Sequence, residues 1–196
     1  IRFSISISEP SAGSDAANTR TRSEETPEGW RITGQKLWCS GAAARNTVIA
    51  MLTRSDKAAA KHKGLTVLLV PNDTPGLDIR RLPTMARRAT GTTEIFADGA
   101  VVPSANLLGE ENKGFYQIMR NFQNERMVLG AQMMGEAARA IELTLAYARE
   151  RKAFGAELWD KQAIRQRLAM RAAQVEAGRQ LVYHAAWLDA QGRSEE

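Results

Sequence analysis

Four short stretches hold residue types that could bind and transform a small molecule. The first runs through residues 1–15. Ser6, Ser8, Ser11 and Ser14 supply hydroxyls at the end of an alternating segment, and Gly13 is small enough to let a ligand near the backbone. Hydroxyls and free amide N–H groups gathered at one strand end suit a planar, hydrogen-bonding or anionic ligand. By spacing alone the same residues also read as a polar exit from a strand, which is the commoner case. The second stretch, Trp38-Cys39-Ser40, sets an aromatic ring beside a hydroxyl. Read bare, Trp38 is an ordinary core aromatic. The third, Gln123-Asn124-Glu125-Arg126, holds a carboxylate next to a cation, and read bare it is a paired helix glutamate. The fourth is Arg151 and Lys152, cations of the kind a helix end favours.

The elements that must position these groups can be read from periodicity. Ile1, Phe3, Ile5 and Ile7 alternate with Arg2, Ser4, Ser6 and Ser8, the period of a half-buried strand. Pro10 lacks an N–H and ends the pairing. Further strands are expected over 19–23, 30–34, 47–53, 65–70, 77–82, 93–96 and 100–102. Turn signals such as Pro27-Glu28-Gly29 and Pro75-Gly76 separate them. Gly34 and Gly41 bracket the strand that carries Trp38. Many short strands of this kind predict an all-β barrel or sandwich. The composition shifts near Pro103, and no proline follows Lys113. Ile118, Phe122, Glu125 and Leu129 share one helical face, as do Ile141, Leu145 and Ala148. This first helix is expected to end near Gly155. Ile164, Leu168, Val175, Val182 and Leu188 keep the period in a second helix from about 161 to 190. The fold class is therefore α+β in segments: a β domain over 1–105, then part of an antiparallel helical bundle over 106–196. Two helices alone cannot bury all their apolar faces.

Composition narrows the chemistry. With 196 residues, 43% hydrophobic, the chain can bury a core. The single cysteine excludes an internal disulfide, and His62 and His184 stand too far apart in sequence for ligand spacing, so no metal site is expected. The net charge is +5, but no nucleic-acid motif or interleaved aromatics accompany the basic groups. No apolar run is long enough to span a membrane.

Taken together, SISEPSAGSD, GQKLWCSG, VVPSANLLGEENKGF, NERMVLG and RERKAFG resemble, in order, the marks of the acyl-CoA dehydrogenase family. Against that pattern the chain covers the middle β domain and the first helices of the carboxy-terminal domain. It is expected to be a segment of a longer protein whose targeting signal, for bacterial cytoplasm or mitochondrial matrix, is not observable.

The resemblance implies FAD, an acyl-CoA thioester, and α,β-dehydrogenation to a trans-2-enoyl-CoA with electrons passed to an electron-transfer flavoprotein. A non-catalytic binding relative and an oxygen-reacting oxidase are the alternatives. It implies that Ile5, Ile7, Ser8, Gly13 and Ser14 line the flavin, with Ser8 where relatives commonly carry Thr. Trp38, Cys39 and Ser40 would lie beside the ring. Arg151, Lys152, Ala153, Lys161 and Gln162 would reach FAD bound to a neighbouring subunit, making the whole protein a homodimer or homotetramer. Glu125 would be the base, and Gln123, Asn124 and Arg126, with Ser14, would contact substrate. Most relatives carry their base later in the helical domain; a minority place it immediately before this arginine.

Overall fold

A computed structural model describes residues 1–193. The chain divides into two compact units, Ile1–Met119 and a second from Arg120 onward.

The first unit is built on eight strands: β1 (Arg2–Ser6), β2 (Arg22–Thr26), β3 (Gly29–Ser40), β4 (Thr47–Arg54), β5 (Leu65–Pro71), β6 (Leu77–Arg81), β7 (Thr92–Val102) and β8 (Leu107–Leu108). They form one mixed sheet in the order β6-β7-β3-β2-β4-β5-β8, with β1 paired parallel to β4. Among the described residues no ladder joins β6 to β8, so of the expected barrel or sandwich the sheet is not a closed barrel. The reason lies at β8. Pro103 removes a donor and a 3-10 turn at Ser104–Asn106 follows, leaving two residues to pair with β5. Two ladder positions are too few to carry a closing seam.

Two expected strands, 93–96 and 100–102, are one. The ladder with β3 runs through the residues between them, Ile32 pairing with Ala100 and Thr33 with Asp98. Gly99 is thus the extra residue of a β-bulge inside β7. A second irregularity falls in β3, where Leu37 and Trp38 lie between the paired positions Lys36 and Cys39.

The core gathers Trp30, Ile32, Cys39, Ile49, Met51, Leu68, Val70, Ile95 and Val102. The first strand presents it with the unexpected face. Ser4 and Ser6 are buried, whereas Ile1 and Phe3 are 93% and 73% exposed. Register explains this: Ser4 and Ser6 lie opposite Ile49 and Met51, the inward residues of β4. Their hydroxyls find partners there, Ser4 Oγ donating to the Ser40 carbonyl at 2.9 Å and Ser6 Oγ lying 3.1 Å from Cys39 Sγ.

Beyond β1 the chain is tied down by a buried ion pair. Lys36 Nζ lies 2.9 Å from Glu9 Oε1, and the two side chains are 1% and 3% exposed. The backbone N–H groups of Arg20 and Thr21 donate to the same carboxylate at 2.8 and 2.9 Å. Glu9 thereby closes both ends of the loop between β1 and β2.

Helix α1 (Gly114–Glu150) follows, then a small hairpin of β9 (Lys152–Ala153) and β10 (Ala156–Glu157), then α2 (Gln162–Ala190). The first helix stops five residues before Gly155, because Phe154 and Gly155 turn the hairpin with φ of 55° and 75°. Within the second unit the helices run antiparallel. A Cβ on Gly130 would come within 3.0 Å of Val182, and one on Gly178 would strike Met134. Each glycine thus admits a larger side chain from the opposite helix. The half-buried positions of α2 include Ile164, Leu168, Val175, Val182 and Leu188, the expected face. Elsewhere the unit leaves apolar side chains bare, among them Val128, Leu143, Leu181 and Trp187.

Burial alone would raise the Glu9 pKa, but the Lys36 ammonium and the N–H donors hold it below the ordinary 4.5. Its ionised form therefore adds stability that is present above about pH 4.5 and lost as the pH falls through the lower folded value. Glu9→Gln should cost roughly 3–5 kcal/mol at neutral pH and flatten the acid limb of the stability profile. Urea denaturation of the full polypeptide at several pH values checks this; an unchanged acid limb would show that the pair does not hold the loop.

Candidate functional site

Glu9 and Ala12 exchange backbone hydrogen bonds of 2.8 and 3.1 Å, closing a four-residue loop. The chain then runs through exposed Gly13, Ser14 and Asp15 to a 3-10 turn at Ala16–Asn18. Arg54 ties this turn, donating to the Ala17 carbonyl at 2.6 Å, and Lys61 meets Asp15 at 2.8 Å. So anchored, the loop leaves donors over. Among the described residues the amides of Ser8, Ser11, Gly13 and Ser14 make no hydrogen bond. Gly13 has no left-handed φ, and a Cβ built there meets nothing within 4 Å. Its value is the open space it leaves, in keeping with the small size that lets a ligand near the backbone. Ser6, by contrast, turns inward to Cys39 and is lost to any ligand on the outer face. Ile5 is exposed and Ile7 half-buried; Ser8 is half-buried, with its carbonyl accepting from the Leu37 N–H at 2.8 Å.

Leu37 lies in the β3 irregularity, and its neighbour is the most unusual residue nearby. Trp38 has φ of 65° and an indole that is 60% exposed. A left-handed tryptophan in a strand is strained, and such strain gathers at functional positions. Ser40 is exposed alongside it in sequence. Cys39 is not: its side chain is 1% exposed, its carbonyl accepts from Thr93, and burial pushes its thiol pKa up. Cys39 can offer a ligand none of its sulfur. Gly34, one of the two glycines that bracket this strand, serves a contact within the protein, because a Cβ there would lie 2.6 Å from Thr21 Cα.

In the second unit, Glu125 is exposed and makes no ion pair among the described residues. It lies off the face that packs on α2, which includes Met127, Gly130, Met134, Ile141 and Leu145. On the expected face of Ile118, Phe122, Glu125 and Leu129, the first is buried and the second half-buried, while Glu125 and Leu129 are exposed. Asn124 is exposed too. Gln123 and Arg126, with Met127, line a cavity of about 370 Å³ against Leu181, His184, Ala185 and Leu188. Arg126 also stands over the Phe122 ring, 6.0 Å from its centre.

The cationic group clusters around the hairpin. Arg151 and Lys152 are exposed, and the Arg151 carbonyl accepts from Leu158 N–H at 2.8 Å. Ala153 pairs with Ala156. Lys161 precedes α2 without a side-chain cap, and exposed Gln162 begins that helix. No group of three or more potential metal ligands occurs among the described residues, and no helix there is long and apolar enough to cross a membrane.

Sequence reasoning missed the Glu9–Lys36 pair. A signal was present: period two from Trp30 and Ile32 carries the inward face of the strand to Lys36, and an inward charge needs an acidic partner.

If Trp38 is strained for the sake of a ligand, the ligand-free fold does not need it. Trp38→Gly should leave the stability of the full polypeptide within about 1 kcal/mol of the unaltered protein, because glycine accepts φ above zero at no steric cost. A loss well above that in urea denaturation would make the indole a packing residue.

Comparison with known proteins follows the same line. Residues 4–100 match the family model for the acyl-CoA dehydrogenase middle domain, and residues 112–196 that for its C-terminal domain. The chain is 38% identical to the probable acyl-CoA dehydrogenase YngJ of Bacillus subtilis, over 94% of this chain and 49% of that protein. The crystal structure of an acyl-CoA dehydrogenase from Geobacillus kaustophilus superposes with a TM-score of 0.93 at 34% identity, covering 97% of this chain and 50% of that one. A chain in the structure of the electron transferring flavoprotein of Acidaminococcus fermentans gives 0.92 at 28% identity, with coverages of 97% and 50%. The chain thus spans about half the length of the relatives it matches. On both of its domains, the chain belongs to the acyl-CoA dehydrogenase family.

Proposed function

We propose that the protein carrying these two units is an FAD-dependent acyl-CoA dehydrogenase, converting an acyl-CoA thioester to its trans-2-enoyl-CoA. The observation that carries the reading is the outer face at the end of β1. Unpartnered amides, open space over Gly13 and a strained, exposed indole stand on one anchored stretch and its neighbouring strand. These residues fit a planar, hydrogen-bonding ring with an anionic tail.

When bound, FAD supplies the acceptor for the substrate β-hydride. The chain's own residues do the rest. Backbone donors at Ser8, Ser11, Gly13 and Ser14 hold and orient polar edges, and donors fixed before reaction cost no reorganisation during it. Trp38 covers an apolar surface. Glu125 takes the α-proton as general base, while Gln123, Asn124 and Arg126 shape the substrate site. Arg151, with Lys152, Ala153, Lys161 and Gln162, reaches the cofactor of a neighbouring subunit, so the working protein is a homo-oligomer. Arg151 supplies a charge-assisted donor suited to pyrophosphate. The electron acceptor is an electron-transfer flavoprotein, a reading supported by the family and by the Acidaminococcus likeness.

Anaerobic titration of the full polypeptide with a panel of acyl-CoA thioesters tests this. The flavin absorbance should bleach with at least one thioester. In Glu125→Gln the bleaching rate should fall by about 10³-fold or more while thioester binding is nearly kept. A colourless protein contradicts the reading; an unchanged rate in the variant moves the base elsewhere.

A further inference from the structure

Lys36 makes two hydrogen bonds, one to Glu9 Oε1 at 2.9 Å and one to the Ile7 carbonyl at 3.0 Å. The second concerns a single peptide group. The Ile7 carbonyl and the Ser8 N–H are its two ends. The carbonyl end is held by a buried ammonium, while the N–H end has no partner among the described residues. A cation on the oxygen draws electron density along the amide and makes the N–H a stronger donor. Glu9 keeps the ammonium aimed, because the Arg20 and Thr21 N–H groups fix its carboxylate. No step of the proposed reaction employs Lys36.

We infer that Lys36 is a positioning residue that polarises the Ile7–Ser8 peptide, so that its free N–H is a sharpened donor toward an electron-rich edge of the bound ring. The inference rests on the flavin reading above. Reduction adds negative charge to such a ring, and a stronger donor favours the reduced form. Losing the polarisation weakens the Ser8 N–H as a donor, and more toward the negatively charged reduced ring than toward the oxidised one, a difference of about tenfold in the reduced-to-oxidised ratio. That is about 30 mV toward the negative for a two-electron couple.

Two measurements on the full polypeptide test it. The Glu9→Gln/Lys36→Met double variant removes both charges without stranding either; its flavin potential should fall by that amount with FAD still bound. In the unaltered protein, a ¹³C-labelled Ile7 carbonyl should absorb in the infrared at lower frequency than ordinary solvated amides. An ordinary band overturns the polarisation, whether or not flavin is present. A lowered band with an unchanged potential in the FAD-loaded variant overturns the link to the ring. If the double variant does not fold, the band in the unaltered protein decides. Protein that holds no flavin contradicts the proposed function, and the band still decides the polarisation.

Discussion

A carboxylate and an ammonium buried together beneath the sheet are the constraint on which the first unit depends. Removing either charge from water costs several kcal/mol, and their attraction returns this only with good geometry and added hydrogen bonds. Glu9 meets those terms with three donors, from Lys36, Arg20 and Thr21. With Glu9 itself, the groups that meet come from three separate points along the chain, since Arg20 and Thr21 are adjacent. Meeting them therefore fixes the exit of β1, the approach to β2 and the middle of β3 at once. An apolar pair of equal volume could fill the space, but it would not fix which backbone atoms face outward. That directional demand gives the loop its residual, unpartnered amides.

The register of β1 with β4 explains why β1 shows its apolar side to solvent. With Ser4 and Ser6 bonded inward, Ile1, Phe3 and Ile5 have no core to enter. The strand is apolar on the face that the proposed ring would cover, and polar on the face that meets β3 and β4. Trp38 joins it because the irregularity in β3 turns its indole outward at the expense of backbone strain. In the helical unit, glycines at 130 and 178 let α1 and α2 approach, while bare side chains such as Val128 and Leu181 mark surfaces these two helices cannot cover.

Much of this was legible in the sequence where one local rule decides. The helical period placed α2 and its packed face, and β-branched runs placed β4 and β5. Legibility failed where two elements had to be known together. The alternation of β1 was visible, but which face is inward depends on its register with β4. The strands expected over 93–96 and 100–102 are one because the ladder with β3 runs through the residues between them. Open or closed sheet turned on whether a two-residue strand could make a seam. Glu9 and Lys36 lie far apart in sequence, and nothing local says that they meet. For the site, the family motifs named the stretches, while the inward turn of Ser6 and Cys39 needed the core around them.

The central claim is that the amides left free beyond β1 are there to be occupied by the cofactor. Hydrogen exchange at Ser8, Ser11, Gly13 and Ser14, measured on the full polypeptide with FAD removed and restored, tests it most directly. Slow exchange at these four amides on restoring FAD, with the already bonded amides of Arg20 and Thr21 little changed, is the result expected. Exchange at the four that stays equally fast with FAD bound would contradict the account.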